Sequence, residues 1–213
     1  MELIHPLAEA YAEQHTSPDD ALLQQIQRET MQHQHAHMIS SSVQGKLLSF
    51  ISTMIQPENI LEIGTFTGYS ALCLAVGLSE TGSLHTIELR ADDAKTALSN
   101  FSKSKKNKQI HLHIGDAKEI IPNLEAEWDL IFIDADKTSY VDYYELVVPR
   151  LSKKGMIIAD NVLFHGQVLE DPISGKSAKA IAAFNAHVLL DNRTEKVLLT
   201  VRDGLLLIKK KNE

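Results

Sequence analysis

The 213-residue chain is 44% hydrophobic and 23% charged, with a formal net charge of −7, the balance of a globular protein and a sign that disfavours broad binding to nucleic acid or an anionic membrane. Its single cysteine, Cys73, excludes an intrachain disulfide. No apolar run approaches the roughly 20 residues of a membrane span, and the start Met1-Glu2-Leu3-Ile4-His5-Pro6 lacks the basic-then-apolar form of a signal peptide, so a cytoplasmic protein is expected.

Residues 1–56 read as helices without a strand. Leu3, Leu7, Ala10 and Tyr11 fall at helical spacing. Ser17-Pro18-Asp19-Asp20 predicts a second helix with Ser17 as N-cap and Pro18 at the first helical position, carrying Leu22, Leu23, Ile26 and Thr30 on one side. His33 and His37, four apart, would share a helix face. Without a nearby carboxylate or cysteine they read as a polar helix end in preference to a metal site. Ser40-Ser41-Ser42 breaks the pattern and caps a third helix with Val43, Leu47, Leu48, Ile51, Met54 and Ile55.

From residue 59 strands alternate with helices. Strands are expected at Asn59–Ile63, Ser83–Glu88, Gln109–Ile114, Trp128–Asp134 and Gly155–Asp160, with helices near 69–78, 91–103, 117–124, 138–150 and 177–190. This rhythm predicts right-handed βαβ units and a mostly parallel sheet. Glu195–Val201 and Leu205–Lys209, joined at Arg202-Asp203-Gly204, add one antiparallel strand near the sheet edge. With no repeat or linker in view, residues 1–213 are expected to form one domain with a helical N-terminal extension.

The stretch Leu61-Glu62-Ile63-Gly64-Thr65-Phe66-Thr67-Gly68-Tyr69-Ser70 is a strand–turn–helix at the carboxyl end of a strand, where open α/β sheets place ligands. Its G-x-x-x-G spacing is not the G-x-G-x-x-G of dinucleotide sites, which counts against an NAD-dependent oxidoreductase. Glu62 beside the first glycine would repel a pyrophosphate and suit a cationic ligand such as S-adenosylmethionine. Glu88 ends the second strand 24 residues after Gly64, about where an acidic residue accepts hydrogen bonds from ribose hydroxyls. Gly115-Asp116-Ala117 ends the third strand, where Asp116 and the backbone would meet an adenine edge. Asp134-Ala135-Asp136-Lys137 and Asp160-Asn161 end the fourth and fifth. Asp134, Asp160 and Asn161 make an all-oxygen set suited to a hard cation such as Mg²⁺.

The sequences around Leu61–Ser70, Phe132–Lys137 and Ala159–Leu163 resemble those of the cation-dependent O-methyltransferases, which include the caffeoyl-CoA enzymes and their bacterial relatives and are similar to the catechol enzymes. The resemblance runs from about Met38 to the C-terminus. It implies a Rossmann-like seven-stranded sheet with the last strand antiparallel and helices on both faces. It implies S-adenosylmethionine contacts at Ser40, Glu62, Gly64, Ser70, Glu88, Ala117 and Asp134, and Mg²⁺, or Mn²⁺ or Ca²⁺, on Asp134, Asp160 and Asn161. Lys137 would stand near the reacting hydroxyl, where it could take or stabilise the proton provided that its own pKa is lowered by the nearby cation and burial. Asp134 and Lys137 would form the catalytic pair.

Two departures bear on the acceptor. Phe164-His165-Gly166 replaces the Trp-Asn-Gly of the plant caffeoyl-CoA enzymes, and the N-terminal region is short of the Lys and Arg that would hold CoA phosphates. Both favour a small free phenol with vicinal hydroxyls, with Met38 and His165 as acceptor-site candidates. The resemblance also implies a homodimer, with the N-terminal helices helping to wall the acceptor site. Methylation of hydroxylated uridine in tRNA, known among similar bacterial proteins, is the alternative, and the net charge makes it the weaker one.

Overall fold

The computed structural model describes residues 3–35 and 39–211, so Met38 and His37 lie outside the described residues. Seven strands form one sheet: β1 (Asn59–Ile63), β2 (Ser83–Glu88), β3 (Ile110–Ile114), β4 (Trp128–Ile133), β5 (Leu151–Asp160), β6 (Thr194–Leu199) and β7 (Leu205–Lys210). Their order is β3-β2-β1-β4-β5-β7-β6. β1 to β5 pair in parallel, and β7 runs antiparallel between β5 and β6. This is the expected Rossmann-like α/β sheet with its last strand reversed.

The strands are continuous apolar runs because both faces are covered. Their alternation sorts the side chains. Leu61, Ile131, Ile133, Ile157 and Ala159 face one core, built with α7 (Tyr140–Val147) and α8 (Lys176–Leu190). Ile60, Leu130, Phe132 and Ile158 face the other, built with α2 (Ala21–Thr30), α3 (Ser42–Ile55), α4 (Tyr69–Ala75) and α5 (Ala91–Ser102). α1 (Pro6–Gln14) has no buried residue, and α6 (Ala117–Ile120) is a single turn. Among the described residues no helix is long and apolar enough to cross a membrane.

Several boundaries differ from the sequence reading. α2 begins at Ala21 because the carboxylate of Asp20, not the hydroxyl of Ser17, accepts from the Leu23 amide at 2.9 Å. It ends at Thr30, so His33 lies in the turn beyond it, 3.5 Å from Asp93 and edge-on to Phe66. The expected helix over 138–150 is split: short 3-10 turns flank α7, and Pro149, which cannot donate to a helix interior, sits in the second. β5 starts four residues earlier than expected, with a register shift where it passes Trp128 and Leu130. Ser41 caps α3 as the serine run suggests, accepting from the Gln44 amide.

β1 and β4 are neighbours whose helices leave to opposite faces, the crevice where α/β sheets bind ligands. Gly64 follows β1 at φ +100°, and a Cβ there would lie 2.0 Å from the Asp134 carbonyl oxygen. Gly64→Ala therefore meets backbone, not a movable side chain. It is expected to cost about 3 kcal/mol or more and to lower Tm by at least about 6 °C. Thermal unfolding monitored by circular dichroism measures this, and an unchanged Tm would show that the two backbones separate freely.

Candidate active site

The carboxyl ends of β1 to β5 surround a cavity of about 860 Å³, at the upper end of the roughly 300–1,000 Å³ of small-ligand sites. Its wall brings together Ser40, Gly64, Ser70, Glu88, Asp116, Ala117, Asp134, Lys137, Asp160, Asn161 and His165. These are the residues that the sequence singles out on five strand ends and two loops. Leu3, Ile4 and Glu9 from the N-terminal segment and Ile39 from the α2–α3 connection close one side.

Glu62 is placed differently. It is fully buried beneath the turn and is not part of the cavity wall. The Thr86 hydroxyl donates to its Oε2 at 2.5 Å. Thr86 has one proton to give, so the Thr65 hydroxyl must donate to Thr86. Glu62 thus anchors the turn from below through two threonines. Burial raises its pKa to about 8, against hydrogen bonds from Ser70 and Thr86 that pull it down. In this state the buried side chain is mostly a neutral acid at neutral pH, and Oε1 has no partner.

Glu88 closes the same turn from its other side. Its Oε2 accepts from the amides of Thr65 at 3.2 Å and Phe66 at 2.8 Å, and its Oε1 from the Arg90 amide at 2.9 Å. A carboxylate has lone pairs beyond these, so Glu88 can hold the turn and still accept from a hydroxyl in the cavity. Asp116 caps α6, accepting from the Lys118 amide at 2.8 Å.

At the ends of β4 and β5 stand the two catalytic candidates and the candidate cation ligands. The Asp134 amide donates to Ile63 O at 2.9 Å, which ties its position to β1. Lys137 Nζ donates to Asp134 Oδ1 at 2.7 Å and to the Tyr140 hydroxyl at 2.8 Å. That hydroxyl lies 3.0 Å from Asp160 O and 3.2 Å from Ile133 O. Burial works to lower the Lys137 pKa, but Asp134 and Tyr140 outweigh it and the net shift is upward. With Asp134 and Tyr140 as its partners, Lys137 is held as an ammonium.

Asp160 is buried. Its Oδ2 accepts from Gln44 Nε2 at 2.5 Å and its Oδ1 from the Asn161 amide at 2.7 Å. Burial and the neighbouring Asp134 carboxylate push its pKa up. Asn161 follows at φ +57°, the left-handed region asparagine tolerates. Among the described residues no three His, Cys, Asp or Glu side chains group to hold a metal ion. The candidate set is instead two carboxylates and an amide. Its all-oxygen chemistry, with the Asp134 carboxylate close enough to raise the proton affinity of Asp160, fits a hard cation.

Gln44 and Tyr140 belong to this site and were missed as site residues. Each left a faint signal. Gln44 is a polar residue on the buried face of α3, beside Gly45, Leu48 and Ile51. Tyr140 stands three residues after Lys137, one turn along.

A family model described as O-methyltransferase matches residues 13–211. Catechol O-methyltransferase of Niastella koreensis is 37% identical over 148 residues, 67% of this chain and 66% of that protein. Probable caffeoyl-CoA O-methyltransferase 1 of Dictyostelium discoideum is 33% identical over 182 residues, 82% of this chain and 79% of that protein. Among solved structures, an O-methyltransferase from Bacillus cereus in complex with SAH superposes with a TM-score of 0.88 at 28% identity, covering 96% of this chain and 97% of that one. The SAH-bound methyltransferase PaMTH1 of Podospora anserina gives 0.90 at 28%, covering 97% and 94%.

The buried Glu62 makes stability depend on pH. Its folded pKa of about 8 lies above the ordinary 4.5, so the folded chain binds that proton more tightly than the unfolded chain. The stabilisation is complete below the ordinary value and is lost as pH rises through the folded one. The ligand-free protein is expected to lose stability between about pH 5 and pH 8. Asp160 acts in the same direction, so the comparison is with Glu62→Gln, in which the decline is expected to be shallower. Denaturant melts across that range test this, and parallel slopes in the two proteins would refute it.

Proposed function

Because the chain belongs to the O-methyltransferase family, we propose that it transfers the methyl group of S-adenosylmethionine to one hydroxyl of a small vicinal dihydroxy aromatic, with a divalent cation held by Asp134, Asp160 and Asn161. The observation that carries this reading is the meeting of those three residues with Lys137 in one cavity, beside the glycine turn. A bound cation would act as a Lewis acid and lower the pKa of a phenolic hydroxyl. The relatives and neighbours with catechol O-methyltransferase activity or bound SAH support the substrate class and the cofactor.

The chain's own residues do the following. The turn at Gly64 and the Glu88 carboxylate hold the adenosyl side of the donor, Ser40 and Ser70 its amino-acid side, and Asp116 and Ala117 the adenine edge. Glu62 shapes the turn from beneath. Lys137, fixed by Asp134 and Tyr140, presents an ammonium to the developing phenolate and stabilises it. It becomes a proton acceptor only when Asp134 ceases to hold it. Gln44 orients the Asp160 carboxylate. The rate advantage rests mainly on holding nucleophile and methyl carbon in a near-attack arrangement. In this reading the N-terminal helices and His165 wall the acceptor side of a single domain. Exposed apolar side chains at Leu7, Tyr11, Phe50 and Met54 are consistent with a homodimer.

Asp160→Ala is expected to abolish Mg²⁺-stimulated methylation of a catechol, and Lys137→Met to lower kcat by about 100-fold or more, while both keep SAH affinity within a few fold by calorimetry. Full wild-type activity in EDTA would refute the cation, and a parallel loss of SAH binding would place these residues in donor binding instead.

A further inference from the structure

Arg202 stands in the turn between β6 and β7, at φ +48°. β7 is antiparallel, and its first residue, Leu205, pairs with Asp160. The turn is thereby delivered to the edge that carries the candidate cation ligands, and Arg202 lines the cavity there, half-buried. Its Nη1 donates to Ile39 O and to Gln44 Oε1, both at 3.2 Å. Both acceptors are neutral. A guanidinium has five N–H donors, so the three on Nε and Nη2 have no protein acceptor among the described residues.

The other cations on this wall are matched by carboxylates. Lys137 is held by Asp134, Arg90 by Asp93 at 2.6 Å, and Lys118 reaches Asp142 at 4.0 Å. Asp203, next to Arg202, is turned to the loop: its Oδ1 accepts from the His165 amide, and its Oδ2 lies 3.7 Å from His165 Nδ1. Arg202 is thus a cation on the cavity wall with no carboxylate partner among the described residues, and its Nε–Nη2 edge is the fork that matches a carboxylate with two parallel hydrogen bonds. Asp134, Asp136 and Asp160 elsewhere on the wall repel an anion.

Resting on the catechol reading above, we propose that Arg202 is a specificity residue that binds a carboxylate carried by the acceptor, so that the substrate class is dihydroxy aromatic acids and not neutral catechols or thioesters. Pairing at Arg202 and repulsion from the neighbouring aspartates fix which end of the ring enters the site. Through Gln44 the same guanidinium is two hydrogen bonds from Asp160, so acid recognition and the reacting end are physically connected.

The test compares 3,4-dihydroxybenzoate with its methyl ester, which keep the same diol ring and differ in charge. In the wild type, kcat/KM for the acid is expected to exceed that for the ester by about tenfold or more. Arg202→Gln should bring the ratio close to one, chiefly through KM for the acid, and Arg202→Lys should restore it in part. A merely structural role at Gln44 and Ile39 would depress both substrates alike, and an unchanged ratio in Arg202→Gln overturns the inference. So does a wild type that favours the ester. If neither compound is methylated, the catechol reading falls, and this inference with it. If both are methylated equally, only the role of Arg202 falls.

Discussion

The site depends on a contact that leaves no space. The backbone of Gly64 lies so close to the Asp134 carbonyl that a Cβ would meet it at 2.0 Å. The same crossing is stitched by the Gly64 amide to Ile87 O at 3.0 Å and by the Asp134 amide to Ile63 O at 2.9 Å. Three strand ends are thereby fixed to within a hydrogen bond of one another. One of them opens the donor turn, one carries Glu88, and one presents Asp134. The glycine turn and the end of β4 are held at a fixed distance by main chain, not by side chains that could relax.

Around that crossing the protein tolerates unusual electrostatics. Glu62 and Asp160 are both buried carboxyls with raised pKa, and neither has an ion-pair partner at contact distance among the described residues. Burying such groups is costly unless their hydrogen bonds are met. The hydroxyls of Thr86 and Ser70 meet part of the need at Glu62, and an amide side chain and an amide backbone at Asp160. The two acids differ in situation. Glu62 is sealed beneath the turn and serves it, whereas Asp160 borders the cavity beside a second carboxylate, an arrangement that a cation would relieve.

The fold was legible because its signals are periodic and local. Apolar β-branched runs at Asn59–Ile63 and Trp128–Ile133, each ending in a turn, carry enough information to mark the strands and their alternation with helices. The motif residues at the strand ends were legible for the same reason: the sheet places every strand end on one edge, so a list of end residues is already a list of neighbours. Cap choice at α2 was not legible, since Ser17 and Asp20 are both good N-caps and packing decides between them. Nor was the burial of Glu62, because side chains on a strand alternate between faces and only the Ser70 and Thr86 partners show which face is closed. Gln44, Tyr140 and Arg202 act through contacts 116, 20 and 163 residues away in sequence. No local pattern encodes such pairings.

The reversal of β7 joins two loops that lie far apart in sequence. The amides of Val162 and Leu163 are bound by the carbonyls of Gly204 and Asp203, so the loop after β5 and the β6–β7 turn meet as one wall of the cavity. Its loop residues can be exchanged without rethreading any parallel strand. Because the two segments are bonded to each other, residues 161–169 and 199–205 would have to be exchanged together to keep that wall intact.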